Sequence, residues 1–123
     1  MTLLDSNVII RIITGDSPAV ANDLLDTIEK SSKNEFYITS SVLVEVCFVL
    51  EFHDYKMERK DIYAVLKRLF AAPQISTSKS TLHALELYKQ HAKLDFTDCY
   101  LVAKAKDNSA KVLTLDKGLL KIV

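Results

Sequence analysis

Two aspartates each follow a short apolar run of the kind that forms a β-strand. Asp5 ends the run TLL, and Asp116 ends the run VLTL. In open α/β sheets the ligand crevice lies at the carboxyl ends of the strands, so both carboxylates should point into one pocket. These two residues are therefore the first candidates for a catalytic or metal-binding site.

A glutamate interrupts the apolar segment SVLVEVCFVLEF, residues 41–52. An ionised carboxylate taken away from water without a partner is costly, so it is normally paired, bound to a metal, neutralised or turned toward solvent. Glu45 lies in the first turns of one predicted helix, and Asp98 lies in the first turn of a later one. Both should lie near the sheet edge of Asp5 and Asp116, so Glu45 is expected to lean toward a shared acidic cluster.

Carboxylates that converge without a cation repel one another, and some would be protonated near neutral pH. Oxygen-only ligands favour Mg²⁺ or Mn²⁺ over zinc, and the three histidines have no zinc-ligand spacing. A Mg²⁺ ion with few protein ligands keeps water molecules and recruits phosphate oxygens from the substrate. This chemistry suits phosphodiester hydrolysis, because the metal lowers the pKa of an attacking water and stabilises charge on the phosphate.

Each acidic residue also has a purely structural interpretation. Asp5 could cap a helix, and Asp116 could lie in a turn. Asp98 could be a first-turn acid favoured by the helix dipole, with Asp95 as the cap, and Glu45 could turn to solvent. The joint pattern, more than any single residue, indicates a shared metal site.

Alternating strands and helices must position these residues. The hydrophobic pattern predicts a helix that stops at Gly15, a helix with Pro18 in its first turn, and a helix opening at Ser40 or Ser41. Leu82, Leu85 and Tyr88 should point inward from a later helix. Predicted strands are residues 1–4, 36–39, 75–77 and 111–116, the last being the clearest, and the later helices are residues 58–71, 79–91 and about 95–108. This order predicts a three-layer α/β/α fold around a central parallel sheet.

The bulk composition predicts one globular domain, residues 1–123. Sixteen basic and sixteen acidic residues balance, which by itself argues against a nucleic-acid partner. If the four acids share one site, however, the remaining surface is net basic. Cys47 and Cys99 lie in helical patterns without CxxC spacing, which favours buried thiols in a reducing compartment.

No signal peptide or membrane span is expected. Asp5 and Arg11 interrupt the apolar start, and no window approaches the roughly 18 to 20 uncharged residues that a bilayer requires. We therefore expect a cytoplasmic protein.

Four segments together resemble the PIN-domain ribonucleases, and most closely the VapC-type toxins of toxin–antitoxin pairs. These segments are MTLLDSNVIIRIITGDSP, SSVLVEVCFVL, LDFTDCYLVAKA and VLTLDKGL. The resemblance covers almost the whole chain and implies a PIN-like α/β/α fold with a Mg²⁺- or Mn²⁺-dependent endoribonuclease site. It places the first acid of the family on Asp5, the helix glutamate on Glu45, the third acid on Asp98 and the more variable fourth acid on Asp116.

The resemblance also implies supporting residues. Asn7 and Thr114 match polar positions that support the site, and Asp95 is an additional nearby carboxylate. We hypothesise that Asp5 and Asp98 bind the principal metal, and that Glu45 holds it or orients a metal-bound water. Asp116 would be a water-mediated ligand or a ligand of a second metal.

For partners, the resemblance implies a homodimer and a small antitoxin whose C-terminal segment covers the active site. The RNA substrates of the family include tRNA and ribosomal RNA. Relatives usually continue beyond KGLLKIV into another short strand, so the C-terminal edge is expected to be abbreviated or the sequence truncated.

Other classes of function stay open at this point. An RNA-processing nuclease of the same family would need no antitoxin. A non-catalytic Mg²⁺-binding regulatory module of the receiver type would need paired acids after its first strand and a lysine ending its last one, whereas Asp5 stands alone and Lys117 follows Asp116. A PIN-like scaffold that had lost catalysis would not need all four acids.

Overall fold

The computed structural model of the protein describes residues 1–123 and contains a three-stranded parallel sheet and seven helices. The sheet has the order β1-β2-β3. Its strands are β1 (Thr2–Leu3), β2 (Phe36–Tyr37) and β3 (Ile75–Ser76). The helices are α1 (Ser6–Thr14), α2 (Pro18–Glu29), α3 (Ser40–Phe52), α4 (Arg59–Phe70), α5 (Lys79–Gln90), α6 (Phe96–Asp107) and α7 (Lys117–Leu120).

Helices connect the parallel strands, as the alternating pattern predicts. Thr2 pairs with Phe36, and Phe36 pairs with Ile75 on its other side. The ladder continues beyond the strands, because the Ile38 N–H donates to the Ser76 carbonyl at 3.0 Å. The α/β fold with a parallel sheet is confirmed, with strands shorter than predicted.

Helix α3 is apolar on most of its surface because it contacts α1, α4 and α6. Leu43, Val46 and Leu50 on this helix are completely buried. Each buried side chain of this size stabilises the fold by about 1.5 to 3 kcal/mol relative to leaving it exposed. The helix that carries Glu45 is therefore held rigidly by its neighbours.

Local signals define the ends of α1 as predicted. Asp5 caps its N-terminus, and Gly15 ends it in the left-handed conformation with φ 65°. The Gly15 N–H donates to the Arg11 carbonyl at 3.0 Å. Glycine is favoured here because a side chain strains this backbone conformation.

The clearest predicted strand, residues 111–116, is wrong. Residues 111–115 make no backbone–backbone hydrogen bonds, and Leu113 and Leu115 are fully exposed. Alternating apolar residues form a strand only beside a paired neighbour, and β1 stays the edge strand of this sheet. Asp116 is consequently positioned by the N-terminus of α7 and not by a strand.

The inward face of α5 also differs from the prediction at one position. Leu85 and Tyr88 are buried as expected, but Leu82 is 40% exposed. The buried stripe instead includes Thr81 and Ala84, because α5 is packed against both α4 and α6. No helix is both long enough and apolar enough to cross a membrane.

The carboxylate of Asp107, at the C-terminal end of α6, joins this helix to the first turns of α5. Ser80 Oγ donates to Asp107 Oδ2 at 3.0 Å, and His83 Nδ1 lies 3.0 Å from Asp107 Oδ1. Burial acts to raise the pKa of Asp107, but the hydrogen bonds from His83 and Ser80 and the charge of His83 lower it below its ordinary value of 3.8. The ionised carboxylate therefore stabilises the folded state.

This contribution should depend on pH. Because the folded-state pKa of Asp107 is depressed, its stabilisation is complete above the unfolded-state pKa of about 3.9 and disappears as the pH falls through the folded-state pKa. Asp107→Asn should lower the free energy of unfolding at pH 7, and the deficit should shrink in acid. Urea denaturation across this range tests it, with Asp23→Asn on the exposed face of α2 as the control. An equal deficit at all pH values would contradict this account.

Candidate active site

Asp5 lies at the carboxyl end of β1 and opens helix α1. Its Oδ1 accepts a hydrogen bond from the Ser6 N–H at 2.8 Å, so it is a helix cap. The residue is exposed, and Oδ2 has no hydrogen-bond partner in the chain. The capping and metal-binding interpretations of Asp5 are therefore compatible, because one oxygen remains available to a ligand. Asn7, in the first turn of α1, is exposed and makes no side-chain hydrogen bond.

Glu45 is exposed, which explains how a carboxylate is tolerated on the apolar helix α3. It makes no hydrogen bond or ion pair within the chain. Its side chain lines a cavity of about 300 Å³, together with Asp95 and Thr97 from the start of α6. Glu45 is thus turned outward, into a cavity that another predicted site residue also lines.

The N-terminus of α6 carries two of the acids. Asp95 caps the helix, with Oδ1 accepting from the Asp98 N–H at 2.8 Å. The pKa of Asp98 is raised, first by burial, then by the negative charge and hydrogen bonding of Asp95, and further by the charge of Asp116. Asp95, Asp98 and Asp116 therefore lie close enough to influence each other electrostatically.

Asp116 reaches this region through the turn before α7. Its Oδ1 accepts from the Leu119 N–H at 3.0 Å, and its own N–H donates to Thr114 Oγ1 at 3.0 Å. Thr114 thus holds the backbone of Asp116, and its supporting role in a functional site stays a prediction. The support acts through a turn, because residues 111–116 do not form a strand.

Gly118 is a residue of this site that the sequence analysis missed. A Cβ atom at this position would lie 3.0 Å from Asp116 Oδ1 and 3.4 Å from Leu94 Cδ2. The absence of a side chain therefore allows the Asp116 carboxylate to lie beside the turn that leads into Asp95. The available signal was the position of Gly118, one of two glycines in the chain, directly after Asp116 and Lys117.

Asp95, Asp98 and Asp116 are electrostatic neighbours, but the acids do not form a closed set of ligands. No group of three or more His, Cys, Asp or Glu side chains is arranged to hold an ion. Asp5, Asp95 and Asp116 each use one oxygen as a helix cap. The all-oxygen donor set fits a hard divalent cation, which would also favour the ionised form of Asp98 against the burial and the neighbouring negative charges that raise its pKa.

The cysteines are structural. Cys47 and Cys99 are buried and unpaired, and burial raises the pKa of the Cys99 thiol to about 12. Burial also raises the pKa of Cys47. A neutral buried thiol is neither a nucleophile nor a metal ligand, which agrees with the sequence interpretation.

Two comparisons with known proteins match almost the whole chain. The sequence model of the PIN domain family matches residues 2–123, a range that includes every acid described above. The chain is also similar to a VapC ribonuclease of Aquifex aeolicus (strain VF5), with 30% identity over 114 residues. That alignment spans 90% of this chain and 83% of the relative.

The close fit at Gly118 leads to a prediction about stability. Gly118→Ala should displace the Asp116 carboxylate from its cap and lower the free energy of unfolding by about 0.5 to 2 kcal/mol, the usual cost of losing a cap. Urea denaturation measures the change. In an Asp116→Ala background the same substitution should cost much less, because the displaced group is already absent. A more stable Gly118→Ala protein would show that the helix gains from alanine without any clash.

Proposed function

Because the chain belongs to the PIN-domain family, we propose that it is a metal-dependent endoribonuclease that hydrolyses phosphodiester bonds in RNA. We propose further that it is the toxin of a toxin–antitoxin pair. The observation that supports the proposal is that acids from different elements are neighbours in two places: Glu45 with Asp95, and Asp98 with Asp95 and Asp116. Asp5 follows β1, Glu45 and Asp95 line one cavity, and Asp98 is in the electrostatic field of its neighbours. Similarity to a VapC ribonuclease supports the choice of RNA as substrate.

A bound Mg²⁺ or Mn²⁺ supplies a water of lowered pKa and stabilises negative charge on the scissile phosphate. In the proposed mechanism Asp5 and Asp98 hold the ion. Glu45 holds it or orients the attacking water from the cavity wall, since its carboxylate has no other partner. Asp116 acts through water or on a second ion.

Asn7, Thr114 and Asp95 support these ligands. Asn7 extends from the first turn of α1, close to Asp5. Thr114 fixes the backbone of Asp116 through its hydroxyl. Asp95 orders the first turn of α6 by capping the Asp98 N–H.

The proposed partners follow from the same assignment. We place the protein in the cytoplasm as a homodimer, with tRNA or ribosomal RNA as the class of substrate. A small antitoxin would bind it, with the C-terminal segment of the antitoxin covering the acidic site. A positively charged group in that segment would favour the ionised form of Asp98, whose pKa is raised by burial and then by the charges of Asp95 and Asp116.

Asp5→Asn provides the sharpest test of the catalytic assignment. Asparagine caps a helix about as well as aspartate, so α1 should form normally and any loss of activity reports on the metal. Cleavage of a mixed small-RNA pool with Mn²⁺ should fall by more than about 100-fold, beyond the range typical of residues that only surround a metal site. EDTA should abolish wild-type cleavage, and Asp98→Asn should behave like Asp5→Asn.

The matched control is Asp23→Asn on α2, an exposed acid whose carboxylate makes no hydrogen bond or ion pair, and this variant should cleave like the wild type. Equal cleavage by Asp5→Asn and the wild type would exclude Asp5 from catalysis. If the protein bound Mn²⁺ without cleaving RNA and formed an aspartyl phosphate from a small phosphodonor, it would instead be a regulatory module.

The toxin assignment needs its own measurement. Expression of the wild type should arrest growth, Asp98→Asn should not, and the product of an adjacent small gene should relieve the arrest. RNA cleavage in vitro without any effect on growth would favour an RNA-processing nuclease that has no antitoxin.

A further inference from the structure

Arg59, the first residue of α4, connects three parts of the chain that are distant in sequence. Its side chain is only 11% exposed. Its Nε donates to Glu51 Oε2 on α3 at 3.0 Å. Its Nη1 donates to the carbonyl oxygens of Tyr88 at 3.0 Å and His91 at 2.9 Å. The guanidinium is therefore bonded to α3 on one side and to the end of α5 on the other.

The two carbonyls belong to the last turn of α5 and the residue that follows it. Carbonyls at a helix C-terminus lack partners within the helix, and they lie at the negative end of its dipole. The Arg59 guanidinium donates hydrogen bonds to both carbonyls and places a positive charge at this end of the helix dipole. The His91 carbonyl also accepts from the Leu94 N–H at 3.0 Å, which closes the turn directly before Asp95. Arg59 thus holds the carbonyl around which the α5–α6 turn folds.

Tyr88 and Glu51 fix the orientation of Arg59. The Tyr88 hydroxyl donates to Glu51 Oε1 at 2.7 Å, and the centre of the Arg59 guanidinium lies 4.1 Å from the centroid of the Tyr88 ring. Tyr88 is buried and packs edge-on against Phe96, the first residue of α6, at 5.9 Å between ring centroids. Arg59 therefore contacts Tyr88, and Tyr88 contacts Phe96 on the helix that carries Asp98.

This network adjoins the acidic site directly. Glu51, Tyr88 and Phe96 line the same cavity of about 300 Å³ as Glu45 and Asp95. A buried ion pair contributes little stability of its own, because an apolar pair of similar volume is often as stable or more stable. The three directed bonds of Arg59 do, however, determine where the α5–α6 turn lies.

We propose that Arg59 is a positioning residue of the acidic site, which fixes the α5–α6 turn and thereby the distance of Asp95 and Asp98 from Glu45 and Asp5. The inference rests on the proposed function, since it takes these acids to be the metal ligands. Displacement of a reacting group by about 1 Å is enough to impair a catalytic site. Arg59 acts on the metal site through the backbone, without touching the ion or the RNA.

The test separates the charge of Arg59 from its bonds to the turn. The double variant Arg59→Met/Glu51→Gln removes both buried charges together, so no unpaired charge remains. The carbonyls of Tyr88 and His91 lose the Arg59 donor, so the protein should still fold, with a lowered free energy of unfolding. Its Mn²⁺ affinity, measured by calorimetry without RNA, should nevertheless fall about tenfold, because the turn is no longer held. The kcat for RNA cleavage should fall at subsaturating Mn²⁺ and recover in part at high Mn²⁺.

The matched control is Lys67→Met/Glu86→Gln. This pair also joins α4 and α5, with Lys67 Nζ 3.8 Å from Glu86 Oε1, but neither residue bonds to the α5–α6 turn. Its Mn²⁺ affinity should match the wild type. Arg59→Lys keeps the positive charge beside Glu51 but lacks the planar fork that reaches all three acceptors, so it should show a smaller loss.

The outcomes distinguish this inference from the proposed function. Wild-type protein that bound no Mn²⁺, or an Asp98→Asn variant that bound it normally, would remove the metal-site assignment itself. Normal Mn²⁺ affinity in the folded double variant would overturn the positioning role alone and leave the nuclease assignment intact. If the double variant does not fold, Arg59→Lys decides, since wild-type Mn²⁺ affinity in that variant also overturns the positioning role.

Discussion

Capping of helix N-termini by aspartate side chains is the interaction that positions most of the acidic residues discussed above. At Asp98, burial first and then the charges of Asp95 and Asp116 raise the pKa of the carboxyl. Asp5, Asp95 and Asp116 lie at the N-termini of three helices, where each accepts a backbone N–H. The positive end of a helix dipole stabilises a negative charge, so each cap position favours the ionised carboxylate that it holds.

Helix packing and side-chain hydrogen bonds hold the elements that carry these acids. Glu45 stands on a helix that three neighbouring helices immobilise, so its carboxylate is exposed while its backbone is rigid. The end of α5, directly before the turn into α6, is tied to α3 and α4 through Arg59. The end of α6 is tied to α5 through Asp107. A site built on packed helices maintains its geometry better than one built on loops alone. The exception is Asp116, which depends on a turn and on the small size of Gly118.

Elements with strong local signals were predictable, and elements that need a partner were not. Asp5 and Gly15 define α1 by capping alone, and Asp95 does the same for the start of α6. The segment 111–116 has a strong strand pattern, yet it forms no strand because nothing pairs with it. A helix satisfies its hydrogen bonds internally, whereas a strand requires a neighbour that a local pattern cannot supply.

The sequence by itself determined the family, the identities of the acids and the helices that carry them, because these follow from residue type and short-range spacing. Only the tertiary structure decided that Glu45 faces a cavity shared with Asp95, that Gly118 admits the Asp116 carboxylate, and that Arg59 bonds to the turn before Asp95. These features join residues that lie in different elements. Such contacts depend on how the elements pack together, and neither periodicity nor capping specifies that packing.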